Sequence, residues 1–224
     1  MSAHRLTPSV MSTGVVVVVL TATIAALVFP VWSYADRSGT EQAELRTGSV
    51  ATRWGPLSAA DRDFLVSVRL AGLWGIPAGQ QAVARAPSRA VAVAGEHLVS
   101  GHTYLDGRVR DVAARLGTER LGMELPSQPT EEQRASLREL TAAQGRAYET
   151  SFTDLLRRSQ GQALELAAGV RHTTRNSLVR ALADDTVTAA LDHMKVLEAT
   201  GLVDFDAIAT DAAEEPPRVT RGGH

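Results

Sequence analysis

Apolar residues recur at steps of three and four along most of the chain, the spacing that places side chains on one face of an α-helix. No window alternates apolar and polar residues in the way that a half-buried β-strand does. The pattern divides into four long segments at about 58–86, 88–117, 146–170 and 176–199. It therefore predicts an all-α domain built from four amphipathic helices.

Residue types that begin and end helices stand at the segment boundaries. Ser58 with Asp61, and Thr130 with Gln133, form capping pairs three residues apart. Gly117 is placed to end the second long helix. The pair at Thr130 predicts an extra short helix between the second and third long helices. Because a long detour of this kind is typical of ferritin-like topologies, we predict a ferritin-like four-helix bundle.

The first long helix contains Pro77, which lacks a backbone donor and crowds the preceding turn. Gly75, two residues earlier, has low helix propensity. Together they predict a bend at the step from Gly75 to Ile76. We expect the bend to open space opposite His102 of the second helix.

The apolar stripes of the second and fourth helices each include a histidine near mid-helix. The second stripe consists of Val91, Ala94, Leu98, His102, Leu105, Val109, Val112 and Leu116, and the fourth includes His193. A buried neutral histidine without a partner costs roughly 1–3 kcal/mol. Each imidazole therefore needs a metal ion, a water or a side chain across the bundle. His102 and His193 are candidate ligands for a divalent metal ion, and satisfied core histidines are the alternative.

The acidic residues argue against a di-iron centre of the ferritin type. Such a centre needs a Glu from two helices and a Glu-x-x-His motif from each of the other two, and the chain contains no Glu-x-x-His motif. Glu96 and Glu165 fall off the apolar stripes. His97 and His102 are five residues apart, about 140° around the helix, so they cannot chelate one ion together.

Composition narrows the possible classes of function. The chain has no cysteine, which excludes disulfides, thiolate metal sites and a cysteine nucleophile. The formal net charge is −2, so the molecule has no field that attracts nucleic acid. Arg171, Arg175 and Arg180 form a modest basic cluster that we interpret as a solvated face. No catalytic triad, phosphate loop or glycine fingerprint is present.

The segment Gly14–Trp32 carries no charge and is about as long as a membrane-spanning helix, roughly 20 residues. His4 and Arg5 precede it, so the rest of the chain should face outward. Residues 1–35 are thus either an uncut membrane anchor or a signal peptide cleaved after Ala35. Both alternatives place the domain outside the cytoplasm, at the cell membrane or secreted.

Two further segments lack helical periodicity. Residues 36–56 are polar and contain three glycines and a proline, so they predict a linker. Residues 205–224 end in the sequence EEPPRVTRGGH, and we predict that this tail is disordered. The domain itself is expected to cover residues 57–204.

Four stretches of the chain occur in the order and spacing of a known bacterial family. They read LSAADRDFLVSVRLAGLWGIPAGQQA, GEHLVSGHTYLDGRVRDVAARLG, LPSQPTEEQ and LDHMKVLEATGLVD. They resemble the bacterial domain-of-unknown-function family 4142, most closely its actinobacterial branch, over residues 57–204. The resemblance implies an exported or membrane-anchored protein with a ferritin-like fold, and it establishes no activity.

The family pattern places a Glu in the first helix and a His in each later helix, all at mid-bundle. In this chain the matching positions hold Gly75, His102, Gln160 and His193, and Gly101 stands where relatives often have Asp. The resemblance therefore implies a polar layer of His102, Gln160 and His193 that has lost part of the family's set of potential ligands.

These observations favour a non-enzymatic protein of the cell envelope that binds a partner or a small ligand. Its expected partners are the membrane, through the N-terminal helix, and a protein that the sequence does not identify. The alternative is a metal-binding or oxidative-stress protein that uses His102 and His193.

Overall fold

The computed structural model describes residues 48–118 and 122–214. Within these ranges the chain forms six α-helices and no β-strand, which confirms the predicted all-α class. The helices are α1 (Ala59–Arg85), α2 (Arg89–Leu116), α3 (Glu131–Ala142), α4 (Gly145–Thr173), α5 (Ser177–Glu198) and α6 (Phe205–Glu214).

The four long helices pack as two hairpins, α1 with α2 and α4 with α5, which are joined through α2–α5 and α1–α4 contacts. One apolar cluster gathers the start of α1, the end of α2, the end of α4 and the start of α5. A second cluster gathers the four opposite ends. Consequently α2 and α4 run in one direction through this helical bundle, and α1 and α5 run in the other.

The connection from α2 to α4 returns along the bundle. Met123 and Leu125, just after α2, pack against the first cluster. Leu137 and Leu140 of α3 belong to the second cluster, where α4 begins. The short helix between the second and third long helices, which the sequence predicts, is therefore the means by which the chain travels from one end of the bundle to the other.

The predicted caps are confirmed. The Ser58 hydroxyl accepts from the backbone N–H of Asp61 at 3.1 Å, while the Asp61 carboxylate accepts from the Ser58 N–H at 2.8 Å. Thr130 and Gln133 form the same reciprocal pair before α3. Gly117 ends α2 in the left-handed conformation, with φ of 68°.

The apolar periodicity of α1 predicts an inward stripe, and five of its seven residues are buried. The stripe consists of Phe64, Leu65, Val68, Gly72, Ile76, Ala82 and Val83. Val83 is 44% exposed and Ile76 is only half-buried, whereas Gly75 and Gly79 are buried. A Cβ on Gly79 would lie 2.8 Å from the carbonyl oxygen of Gly95, so the backbones of α1 and α2 come very close here. Small residues form this face of α1 because they permit that approach, and the larger apolar residues lie beside it.

Pro77 does not interrupt α1, which continues as one helix from Ala59 to Arg85. The bend at the step from Gly75 to Ile76 stays a prediction, since a continuous helix can still bend at a proline. The space opposite His102 is explained by the missing side chain of Gly75, because a Cβ at that position would lie 2.6 Å from the His102 ring.

Both flanking segments need correction for the residues that the structure describes. Residues 48–56, predicted as linker, belong to the fold: Val50 and Leu57 exchange backbone hydrogen bonds at 2.9 and 2.8 Å. Residues 205–214, predicted as disordered, form α6, whose first turn is capped by the Asp204 carboxylate accepting from the N–H of Ala207 at 2.9 Å.

None of the helices in the described ranges combines the length and the apolar character needed to cross a bilayer. The predicted N-terminal helix at 14–32 lies outside the described residues.

Candidate functional site

The two histidines predicted to face inward meet in the middle of the bundle. His102 of α2 and His193 of α5 are 3% and 1% exposed, and their ring centroids are 5.0 Å apart with the planes inclined by 38°. The layer lies between the two apolar clusters. The structure thus brings together two residues that are 91 positions apart in the sequence.

Gln160 of α4 joins the two imidazoles. Its Oε1 lies 3.0 Å from Nδ1 of His193, and its Nε2 lies 3.5 Å from Nε2 of His102. With the amide oriented in this way, Nδ1–H of His193 donates to the amide oxygen and the amide N–H donates to His102. We call His102, Gln160 and His193 the histidine layer. The structure brings together all three of its predicted members.

This proton arrangement leaves Nδ1 of His102 without a hydrogen-bond partner among the described residues. His102 accepts at Nε2, so its own proton resides on Nδ1, and Nδ1 has no hydrogen-bond partner among the described residues. A buried N–H without a partner costs roughly 1–3 kcal/mol. Nδ1 of His102 is therefore the under-satisfied atom that this arrangement identifies.

Two glycines make room for the imidazoles. A Cβ on Gly75 of α1 would lie 2.6 Å from Nε2 of His102, and a Cβ on Gly101 of α2 would overlap the ring of His193. Each histidine therefore fits against the bare backbone of a neighbouring helix. The sequence indicates that Gly75 and Gly101 are departures from the family pattern, but their steric role depends on the helix packing.

Burial keeps both imidazoles neutral near pH 7. The pKa of His102 is lowered to about 3, mainly by desolvation and to a smaller extent by the nearby His193. Desolvation also lowers the pKa of His193 to about 4, assisted by His97 and opposed by Asp192. Neutral imidazoles can donate and accept hydrogen bonds at the same time, which is the state that the amide of Gln160 requires.

His97 is a third histidine near the layer that the sequence reasoning did not assign to it. Its exposed ring stands edge-on to His193, with centroids 5.8 Å apart and planes at 88°. His97 and His102 thus approach His193 from different places on α2. The five-residue spacing of His97 and His102 places their rings at different angles around α2. His193 of α5 nevertheless lies close to both rings.

The donors present set a limit on metal binding. Within the described ranges, no group of three or more His, Asp or Glu side chains is placed to hold one metal ion. Glu96 and Glu165 are exposed, as the sequence predicts. A metal ion in the layer would therefore rely on His102 and His193, and Nδ1 of His193 already donates to Gln160.

A second buried polar group lies one turn along α2 and was missed by the sequence reasoning. The Asp106 carboxylate is 6% exposed and forms ion pairs with Arg69 of α1 and Arg110 of α2. Gly72 faces it, since a Cβ there would lie 3.3 Å from the Asp106 Cβ. This group ties α1 to α2 and offers no free donor or acceptor set for a ligand.

A family model described as domain of unknown function (DUF4142) matches residues 47–200. No curated protein and no solved structure matches the chain significantly.

Proposed function

The chain belongs to the family of domains of unknown function designated DUF4142, and on this premise we propose that it is a non-enzymatic binding protein that acts outside the cytoplasm. It holds a protein partner or a small ligand on the surface of its bundle. The histidine layer is a structural part of the core.

The proposed fold is a ferritin-like four-helix bundle. Its support is the direction of the helices: α2 and α4 are parallel, and the connection between them returns along the bundle. One long crossover between two antiparallel hairpins is the feature that separates ferritin-like bundles from simple up-and-down bundles.

The proposed location rests on the N-terminal sequence. The uncharged run at 14–32 follows basic residues, which favours an outward-facing domain, either anchored or released by cleavage. The absence of cysteine is compatible with an oxidising compartment but does not require one.

The observation that carries the non-enzymatic proposal is the hydrogen bonding of the layer. Gln160 engages both imidazoles, so the groups that could act as bases or ligands are bonded to each other. Their lowered pKa values hold them neutral, and no carboxylate joins them within the described part of the core. A general acid–base site needs a group poised near the working pH and able to reach a substrate.

A second candidate function is binding of a divalent metal ion by His102 and His193, as in an oxidative-stress protein. One observation favours it: Nδ1 of His102 is buried and has no hydrogen-bond partner in the described part of the chain, and a second neutral imidazole lies beside it. A metal ion is one group that could satisfy a nitrogen of this kind after loss of its proton.

A double-mutant cycle on the full chain in nonionic detergent distinguishes the two candidates. The variants are His102→Leu, His193→Leu and the double substitution, unfolded in denaturant with and without a chelator. We expect each single change to lower the free energy of unfolding by roughly 1–3 kcal/mol, because it leaves a buried partner unsatisfied. The double change should cost less than the sum.

The control is His172→Leu, which alters an exposed histidine at the end of α4 and should leave stability nearly unchanged. Under the structural proposal the chelator moves no midpoint. A chelator that lowers the wild-type midpoint but leaves that of the double variant in place would replace our proposal with the metal-binding candidate.

Protease accessibility tests the location. In spheroplasts of a bacterial host that expresses the full chain, added protease should digest residues 57–204, because the N-terminal segment directs the domain outward. A cytoplasmic protein in the same cells serves as the intactness control. Complete protection of the domain until the spheroplasts are lysed would contradict an outward orientation.

A further inference from the structure

A cavity of about 440 Å³ lies at the end of the bundle, away from the histidine layer. Residues 50–54 form one wall, and the last turn of α2 forms the other with Arg115 and Leu116. A volume of this size is in the range of small-ligand sites, roughly 300–1,000 Å³.

An indole with two guanidiniums dominates the lining. The Cζ atom of Arg53 lies 3.9 Å from the centroid of the Trp54 ring, and the Cζ atom of Arg115 lies 5.5 Å from it. The two guanidinium carbons are therefore at most 9.4 Å apart, the sum of these distances. Two positive charges this close repel each other. An anion between them attracts both guanidiniums and offsets that repulsion.

The positive charges of this pair are weakly compensated. Within the described ranges Arg53 forms no ion pair, and its guanidinium lies over the Trp54 ring. Arg115 has one ion pair, with Asp111 at 3.6 Å, in which the side chains are 44% and 52% exposed. Exposed pairs of that length contribute little, so a better-placed anion can displace Asp111.

The wall that carries Trp54 is held in place before any ligand arrives. The side-chain amide of Asn176, which is fully buried, donates to the Thr52 hydroxyl at 3.2 Å and to the Gly55 carbonyl at 3.1 Å. The Trp54 carbonyl accepts from the backbone N–H of Ser177 at 2.9 Å. Preorganisation of this kind lowers the entropy that binding must overcome.

Gly55 completes the turn, because its φ of 104° and its contact with the Arg175 carbonyl exclude any side chain. Trp54 is half-buried, so one part of the indole packs on the bundle while the rest lines the cavity. The cavity therefore combines a fixed apolar ring with two exposed cations.

From this arrangement we infer that the cavity binds a phosphate ester, with the phosphate between the guanidiniums of Arg53 and Arg115 and the organic part against Trp54. Guanidinium groups bind phosphate oxygens through paired charge-assisted hydrogen bonds. Two cations suit a single phosphate group rather than a nucleic acid backbone, in agreement with the net charge of −2.

The ester has two possible sources, a soluble phosphate compound or the headgroup of an anionic phospholipid. A lipid headgroup is a source only if the domain lies at the membrane, as the proposed location has it. Only this choice of source rests on the proposed location, and the phosphate site itself does not.

The test uses the full chain in nonionic detergent micelles, with tryptophan labelled for NMR. The indole N–H signal of Trp54 is assigned by its loss in Trp54→Phe. One arm titrates inorganic phosphate at constant ionic strength against chloride, and the other arm adds phosphatidylglycerol to the micelles. We expect a saturable shift of the Trp54 signal in at least one arm.

The substitution R53Q/R115Q should weaken that affinity roughly tenfold or more, because it removes both charged donors. The matched control is R89Q/R146Q, which neutralises two exposed arginines at the opposite end of the bundle and should keep the wild-type affinity. Saturation by inorganic phosphate identifies a soluble source, and saturation by phosphatidylglycerol alone identifies a lipid headgroup. The inference is overturned if neither arm saturates, or if both double variants weaken binding equally.

Discussion

Gly75 and Gly101 make room for the histidine layer because they lack a Cβ atom. Each lies inside a long helix, where glycine costs about 1 kcal/mol relative to alanine, and each stands where a Cβ would collide with an imidazole. Glycine lowers the helix propensity at these two positions, but its missing Cβ allows His102 and His193 to fit against the helix backbones. A mid-helix glycine that faces the core is therefore a sign of close approach and not of weakness in the helix.

Gly101→Ala should destabilise the protein by roughly 1–3 kcal/mol, since the new methyl group overlaps the His193 ring and forces the layer apart. Gly107→Ala in the same helix is the matched control, because nothing lies within 4 Å of its Cβ position. That control should raise stability by up to about 1 kcal/mol. Both effects are measured by denaturant unfolding.

The collision has a specific partner, which permits a rescue. Adding His193→Ala to the Gly101→Ala variant removes the ring that the methyl group meets, so the second substitution should cost less in this background than in the wild type. If Gly101→Ala proved as favourable as Gly107→Ala, the close approach of α2 to His193 would be wrong.

At the scale of elements, the side chain of Asn176 connects the start of α5 with the N-terminal turn. Its Oδ1 accepts from the N–H groups of Leu178 and Val179 at the start of α5, while its amide holds Thr52 and Gly55 of the N-terminal turn. The residue that caps α5 thus also fixes the cavity wall that carries Trp54. Capping preferences alone predict the first role and not the second.

Asn176→Ala should lower the free energy of unfolding by roughly 2–4 kcal/mol, about 1 for the cap and the rest for the acceptors left unpaired in the turn. Thr130→Ala, which removes the cap of the more exposed α3, should cost only about 1 kcal/mol. Asn176→Asp keeps the cap and loses the amide donors, so its cost in denaturant unfolding should be intermediate. Equal losses for Asn176→Ala and Thr130→Ala would contradict the wider role.

For the molecule as a whole, the histidine layer couples stability to pH. The folded-state pKa values of His102 and His193, about 3 and about 4, lie below the ordinary value of 6.5. As the pH falls below 6.5, the unfolded chain takes up protons that the folded bundle excludes. The stability that the neutral layer provides is therefore present above pH 6.5 and is lost progressively toward pH 4 and 3.

Between pH 7 and 5 the free energy of unfolding should decrease on acidification, with a slope approaching about 1.4 kcal/mol per pH unit for each buried histidine. The measurement is denaturant unfolding at several pH values within this range, above the region where most carboxylates titrate. The His102→Leu/His193→Leu variant should show a much flatter profile. An equal slope in that variant would show that the layer is not the origin of the pH dependence.

Periodicity and capping residues decided a large part of the architecture. All eight predicted inward residues of α2 are buried, and the caps at Ser58, Gly117 and Thr130 are where the sequence places them. These features depend on interactions within one turn of helix, so a single sequence contains them. The all-α class and the family follow from the same local patterns.

Two predictions failed in part, the linker at residues 48–56 and the inward stripe of α1. Residues 48–56 carry the composition of a linker, but Asn176, more than 120 positions away, converts them into an ordered turn. Two residues of the predicted α1 stripe, Ile76 and Val83, are not buried, because hydrophobicity alone favours large residues. Close packing against α2 selects small ones.

The sequence by itself determined which face of each helix carries a histidine, because the angle around a helix depends only on residue spacing. The heights of the helices relative to each other were decided by tertiary structure, through the glycine contacts between α1 and α2 and the connections between elements. Those heights place Gln160 between His102 and His193, set Gly101 against an imidazole, and gather Arg53, Trp54 and Arg115 around one cavity. Contacts between distant segments have no local signature, since they depend on how whole elements pack.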